Sequence, residues 1–254
     1  TDILAYLDQY LDIDRFSSEV VVNGANLIAS EEVTKVAFGM SPNMALFEKA
    51  HEWGAELIVT HHSLYEKNSL ERGLSGYLRN RTQFLLNHGI SLASYHLPLD
   101  YHMEVGNNEL LVKGMGGVVT EKKGMFAGFK GLMYKGVLEE PVAIDELATR
   151  FKELLNHPPI VEQAGPSENT TFALVAGGGH IPVFLQQLEP GEVDVYITGE
   201  ISEHVPPISH KLQMNFMAIG HYACEPLGVS ALAEALKKQL PDLETKFIGV
   251  PVAY

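Results

Sequence analysis

The stretch AELIVTHH, residues 55–62, decides how this chain folds. Its ELIVT segment (56–60) is an almost fully apolar run, the pattern of a parallel strand covered on both faces. Two imidazoles, His61 and His62, follow at once. Pockets in α/β folds open where such strands end, so donors placed there are candidates for chemistry. Adjacent side chains of an extended segment point apart. A turn right after the strand would let both reach one site.

Working outward, strand and helix patterns alternate. VTKVAFGM (33–40) reads as the preceding strand. A helix then opens at Ser41 and Pro42 and closes at Gly54. Residues 74–88 have helical spacing and stop at Gly89. ISLASYH (90–96) is the next strand, and 106–114 opens another helix. The second half repeats the order. TFALVA (171–176) is a strand ending in Gly177, Gly178 and Gly179, with a short helix over 181–188. VDVYIT (193–198) matches ELIVT, and both end on threonine. A helix over 204–212 is weakened by Pro206 and Pro207. NFMAIG (215–220) is a strand, and 226–240 is a closing helix with Pro226 in its first turn. This order predicts an α/β fold of two pseudo-duplicated lobes, residues 1–122 and 123–254, with the closing segment packing back on the first. The join falls in glycine-rich sequence near 115–130, and 125–138 reads as a strand pair linking the lobes.

Composition narrows the function. Of 254 residues, Lys and Arg number 18 and Asp and Glu 32, a formal charge of -14. That sign argues against a general nucleic-acid binder. The single cysteine, Cys224, cannot form an internal disulfide and reads as a small buried residue. No apolar stretch has the length of a membrane helix, and the first residues lack a basic-then-apolar leader. The expectation is a soluble cytoplasmic protein without membrane contact.

The donors cluster by position. His61 and His62 follow one strand, and His96 with Asp100 (HLPLD, 96–100) follows the next. In the second half Glu200 follows VDVYIT, and His221 with Glu225 (GHYACE, 220–225) follows NFMAIG. Facing lobes would converge these groups on a metal site. Mixed imidazole and carboxylate suits Zn, Fe, Mn, Co or Ni. The triple glycine is either a tight turn or an anion cradle. Glu200, His180 and His96 are the candidate proton carriers.

THHSL (60–64), HLPLD with GNN (106–108), AGGG (176–179), YITGE (196–200) and GHYACE occur in order along the chain. The series resembles the Nif-three-like dinuclear-metal-centre family, whose short members lack a domain inserted between the halves. Some members carry the label GTP cyclohydrolase type-two-like. The resemblance implies a Nif-three-like fold of two α/β lobes with a dinuclear metal site between them. It implies two divalent metal ions per chain, held by His61, His62, Asp100, His221 and Glu225. In that pattern Asp100 and Glu225 bridge or share the ions, while His61 and His62 split between them. It also implies a ring-shaped homohexamer and a nucleotide, phosphoester or ring C–N substrate for a metal-dependent hydrolase. The alternative is a non-enzymatic metal-binding or regulatory ring.

Overall fold

The computed structural model describes residues 2–252 apart from 70, 72, 127 and 180. The chain divides into two compact units, Thr1–Gly106 with Pro226–Pro251, and Asn107–Glu225 with Val252–Tyr254. Each carries one sheet and its own buried core.

In the first unit β1 (Gly24–Leu27), β2 (Lys35–Gly39), β3 (Leu57–Thr60) and β4 (Ser91–Ser94) lie in one sheet with the C-terminal strand Glu244–Phe247. The spatial order is β1, β4, β3, β2, then the C-terminal strand. β2, β3 and β4 are parallel, and β1 runs antiparallel along β4. Every residue of β3 and β4 is buried, as the apolar run of β3 requires. Helix Met44–Trp53 packs Leu46, Phe47 and Ala50 against Ile58 and Leu92. Its cap is Asn43, whose Oδ1 accepts from Leu46 N at 3.0 Å. The helix therefore starts two residues after the expected Ser41–Pro42 opening. Gly54 ends it at φ 83, a conformation glycine adopts at little cost.

In the second unit β5 (Gly117–Phe126) and β6 (Phe129–Ala143) form a long antiparallel hairpin. β7 (Ile160–Glu162), β8 (Glu168–Val175), β9 (Val195–Thr198) and β10 (Asn215–Ala218) complete a sheet ordered β5, β6, β8, β9, β10, β7. β8, β9 and β10 are parallel, and β7 runs antiparallel along β10. The expected strand pair over 125–138 is thus part of this hairpin. β6 pairs antiparallel with β8, which places the hairpin in the second sheet. Helix Val205–Leu212 forms despite its prolines because they occupy the first turn, where no intrahelical N–H is needed.

The two sheets share a four-strand plan: an antiparallel edge strand, then three parallel strands in reverse chain order. The duplication reaches single bonds. Glu56 Oε2, just before β3, accepts from Thr34 N at 2.5 Å and Lys35 N at 3.0 Å. Asp194 Oδ2, just before β9, accepts from Thr170 N and Thr171 N at 2.8 Å each. Beyond the strands, Thr60 O accepts from Tyr95 N at 2.9 Å and Thr198 O accepts from Ile219 N at 2.8 Å. Both units therefore end the second and third parallel strands in step, and the candidate donors follow those ends.

Candidate metal centre

In the first unit, backbone pairing continues past β3. His61 N donates to Gly39 O at 3.3 Å and His62 N to Met40 O at 2.9 Å. Thr60 Oγ1 donates to His62 O at 2.7 Å and tightens the turn. Among the described residues, His61, His62 and His96 each offer a ring nitrogen, and these lie within 4.8 Å of one another. The ring centroids of His61 and His62, and of His61 and His96, are 5.0 Å apart.

Each ring is held from its Nδ1 side. His61 Nδ1 donates to Tyr95 O at 3.0 Å. A carbonyl only accepts, so the proton sits on Nδ1 and Nε2 carries the lone pair. His96 Nδ1 pairs with the Glu19 carboxylate. Ser41 Oγ and His62 Nδ1 are 2.8 Å apart. Asp100 sits in the short helix Leu97–Tyr101, where its N–H donates to His96 O at 3.1 Å. Its Oδ1 lies 3.7 Å from His61 Nε2, and both residues are buried. That spacing is too long for a hydrogen bond. It suits two ligands of one cation.

In the second unit, His221 opens the short helix His221–Cys224. Its Nδ1 is 2.6 Å from Glu200 Oε1, and its Nε2 is 3.2 Å from Glu225 Oε1. Glu225 is 1 % exposed. Burial pushes the imidazolium down, but the hydrogen bonds and charges of Glu225 and Glu200 outweigh it and raise His221 to about 9.

The triple glycine serves this pair. A Cβ at Gly177, at φ 66, would lie 2.4 Å from Glu225 Oε1 and 3.2 Å from His221 Nε2. Gly177 N points to Cys224 Sγ at 3.4 Å, and Gly177 O accepts from Gly199 N at 2.8 Å. The Gly177 amide is thus spent on a buried turn and does not cradle an anion. Cys224 is fully buried, consistent with a packing role. His180, a candidate proton carrier, lies outside the described residues.

Residues 1–252 match the family described as Duf34/NIF3 (NGG1p interacting factor 3). The chain belongs to the NIF3 family. It is 32% identical over 254 residues to a protein of Archaeoglobus fulgidus named GTP cyclohydrolase 1 type 2 homolog, covering 98% of this chain and 97% of that protein. A Yersinia pestis protein of the same name is 33% identical over 248 residues, covering 96% and 95%. Among solved structures, the protein ybgI, of unknown function, superposes with a TM-score of 0.88 at 31% identity, covering 100% of this chain and 99% of that one. TTHA1606 from Thermus thermophilus gives 0.86 at 29%, covering 100% and 98%.

The side chains of this NIF3 family member fit a divalent metal. Imidazoles whose Nδ1 protons are taken up by a carbonyl or carboxylate are the usual partners of such an ion. Three groups that hold them are absent from the sequence expectations: Glu19, Ser41 and the Tyr95 carbonyl. Glu19 lies 77 positions from His96, and no local period links the two. No helix among the described residues is long and apolar enough to cross a membrane.

Proposed function

We propose that His61, His62, Asp100, His221 and Glu225 together hold two divalent metal ions. On this reading the protein is a metal-dependent hydrolase of a nucleotide, phosphoester or ring C–N bond. The observation that carries it is the buried His61–Asp100 pair at 3.7 Å, with His61 Nδ1 anchored on a carbonyl. Glu225 supports it further, being buried with its Oε1 3.2 Å from His221 Nε2. When bound, a divalent pair supplies a water nucleophile at neutral pH and polarises the bond to be split. The relatives' name, GTP cyclohydrolase 1 type 2 homolog, favours a nucleotide ring as substrate.

The chain's own groups then have separate tasks. Glu200 holds the Nδ1 proton of His221 and is itself half exposed, so it can pass a proton to solvent. A cavity of about 490 Å³ reaches Ser63, directly after His62, and includes Tyr65, Asn68, Ser75 and Tyr77 in its wall. Its size suits a small polar ligand. We also assign a homohexamer on the family resemblance. Val118 and Val137, paired across β5 and β6, are both exposed and offer a small apolar patch for association.

The test is a hydrolase screen of nucleotides and phosphoesters with protein stripped of metal and reloaded. Turnover that returns with metal and is lost in Asp100→Ala supports the reading. Reloaded protein that binds metal yet turns over nothing in the panel favours the second reading, a metal-binding or regulatory ring. The engagement of both Glu200 and His96 by neighbours is the observation on that side.

A further inference from the structure

We propose that His51 and His88 form a separate, solvent-facing site for one divalent cation of the zinc, Ni(II) or Cu(II) class. The ion clips helix Met44–Trp53 to helix Gly76–Asn87 at the edge of the first sheet opposite His61 and His62. The inference does not depend on what the proposed centre holds.

Topology sets the place. β2, β3 and β4 are parallel, and each helix returns the chain from the end of one strand to the start of the next. Both helices therefore end beside the strand starts, whereas His61 and His62 follow the end of β3. Trp53, the last residue of its helix, marks this edge: its ring centroid lies 5.4 Å from Nζ of Lys35, the first residue of β2. His51 stands in the last turn of one helix and His88 caps the end of the other. The carbonyl ends of two helices thus meet at one spot, and both favour a cation there.

Aromatic packing builds the pair. Phe47 and Phe84 stack between the helices with centroids 6.3 Å apart. His51 and His88 each follow one of these phenylalanines by four positions, which places them on the same ridge one turn further on. The imidazole centroids are 4.0 Å apart with planes tilted by 42°, and Phe84 backs His88 at 4.4 Å. Both histidines are exposed, and among the described residues neither imidazole has a hydrogen-bond partner. A tetrahedral zinc at about 2.0–2.1 Å from each nitrogen needs them roughly 3.3 Å apart, within reach of rings this close. Two imidazoles, with water in the other positions, suit zinc, Ni(II) or Cu(II) and disfavour Mg²⁺ and Ca²⁺, which take oxygen donors. Two ligands on an open surface hold an ion more loosely than a buried centre, so gel filtration removes it.

The experiment titrates Cu(II) into the metal-free full chain and follows the fluorescence of Trp53, the single tryptophan, two positions from His51. Cu(II) quenches an indole that it approaches closely. Saturable quenching is expected in wild type. His51→Asn and His88→Asn are each expected to raise its midpoint by about 100-fold, since the second imidazole binds at high effective concentration. Asp100→Ala, which disturbs only the opposite edge of the sheet, is expected to leave the midpoint where it is. Circular dichroism checks that each variant is folded. No quenching in wild type, or the same midpoint in wild type and both histidine variants, overturns the proposal. Quenching that disappears in Asp100→Ala but persists in the histidine variants also overturns it, because the ion would then sit at the other end of β3. Failure of the wider reading leaves a different record: no metal retained through gel filtration, with the Trp53 titration intact.

Discussion

Gly177 shows how one residue conditions the rest of the centre. Its positive φ and the 2.4 Å approach of Glu225 Oε1 to a hypothetical Cβ leave room for no other residue without a shift. Gly177→Ala combines a left-handed backbone with overpacking against a buried carboxylate. It is expected to cost about 2–4 kcal/mol, measured by urea unfolding, and to weaken metal uptake because Glu225 must move. A variant as stable as wild type would show that the turn is not tightly packed. The positions of the candidate donors were legible in the sequence. His61, His62, His221 and Glu225 follow apolar runs that form the buried strands β3 and β10. Their partners were not legible. Ser41, Glu19 and the Tyr95 carbonyl reach the histidines through tertiary contacts 21, 77 and 34 positions away, and no short-range pattern encodes such a pairing.

At the scale of elements, the duplicated strand–helix–strand plan is tied by matching carboxylates. Asp194 accepts from both N–H groups and both hydroxyls of Thr170 and Thr171, all within 2.9 Å. Burial pushes its pKa up, but these hydrogen bonds outweigh it and hold the carboxyl below its ordinary 3.8. A depressed carboxylate contributes stability that is complete above the ordinary value and is lost as pH falls through the lowered one. Asp194→Asn is expected to lose about 1–3 kcal/mol at pH 7. The gap from wild type should narrow on acidification below about pH 4. Urea unfolding at pH 7 and pH 3 checks it, and a constant gap would mean the charge plays no part. Glu56 plays the same role before β3, also with a lowered pKa: burial opposes the shift and the hydrogen bonds from Thr34 and Lys35 outweigh it. The buried parallel strands were readable because their apolar runs are continuous. The edge strands β1 and β7 were not, since four residues of GANL and three of IVE carry no usable period. The C-terminal strand ETKF is half exposed and polar, so it lacks the apolar signal. Helix Ile144–Leu155 is missing from the expected elements, although its sequence does carry a signal: Ile144, Leu147 and Phe151 have helical spacing and are buried.

At the scale of the whole molecule, the chain leaves the first unit after Gly106 and returns to it at Pro226. A second α/β unit is thus placed within the first in sequence, with the candidate donors Asp100 and Glu225 close to the two crossings. The acidic balance of the chain, -14 at neutral pH, fits a protein whose carboxylates serve cations and hydrogen-bonded caps better than one that embraces a polyanion. The most direct test of the central claim is metal stoichiometry. The protein is stripped with chelator, reloaded with zinc or Fe(II), freed of excess by gel filtration and analysed by mass spectrometry of the elements. Two ions per chain are expected for wild type, with loss of metal in Asp100→Ala and Glu225→Gln. No retained metal, or the same content in wild type and both variants, would contradict the account.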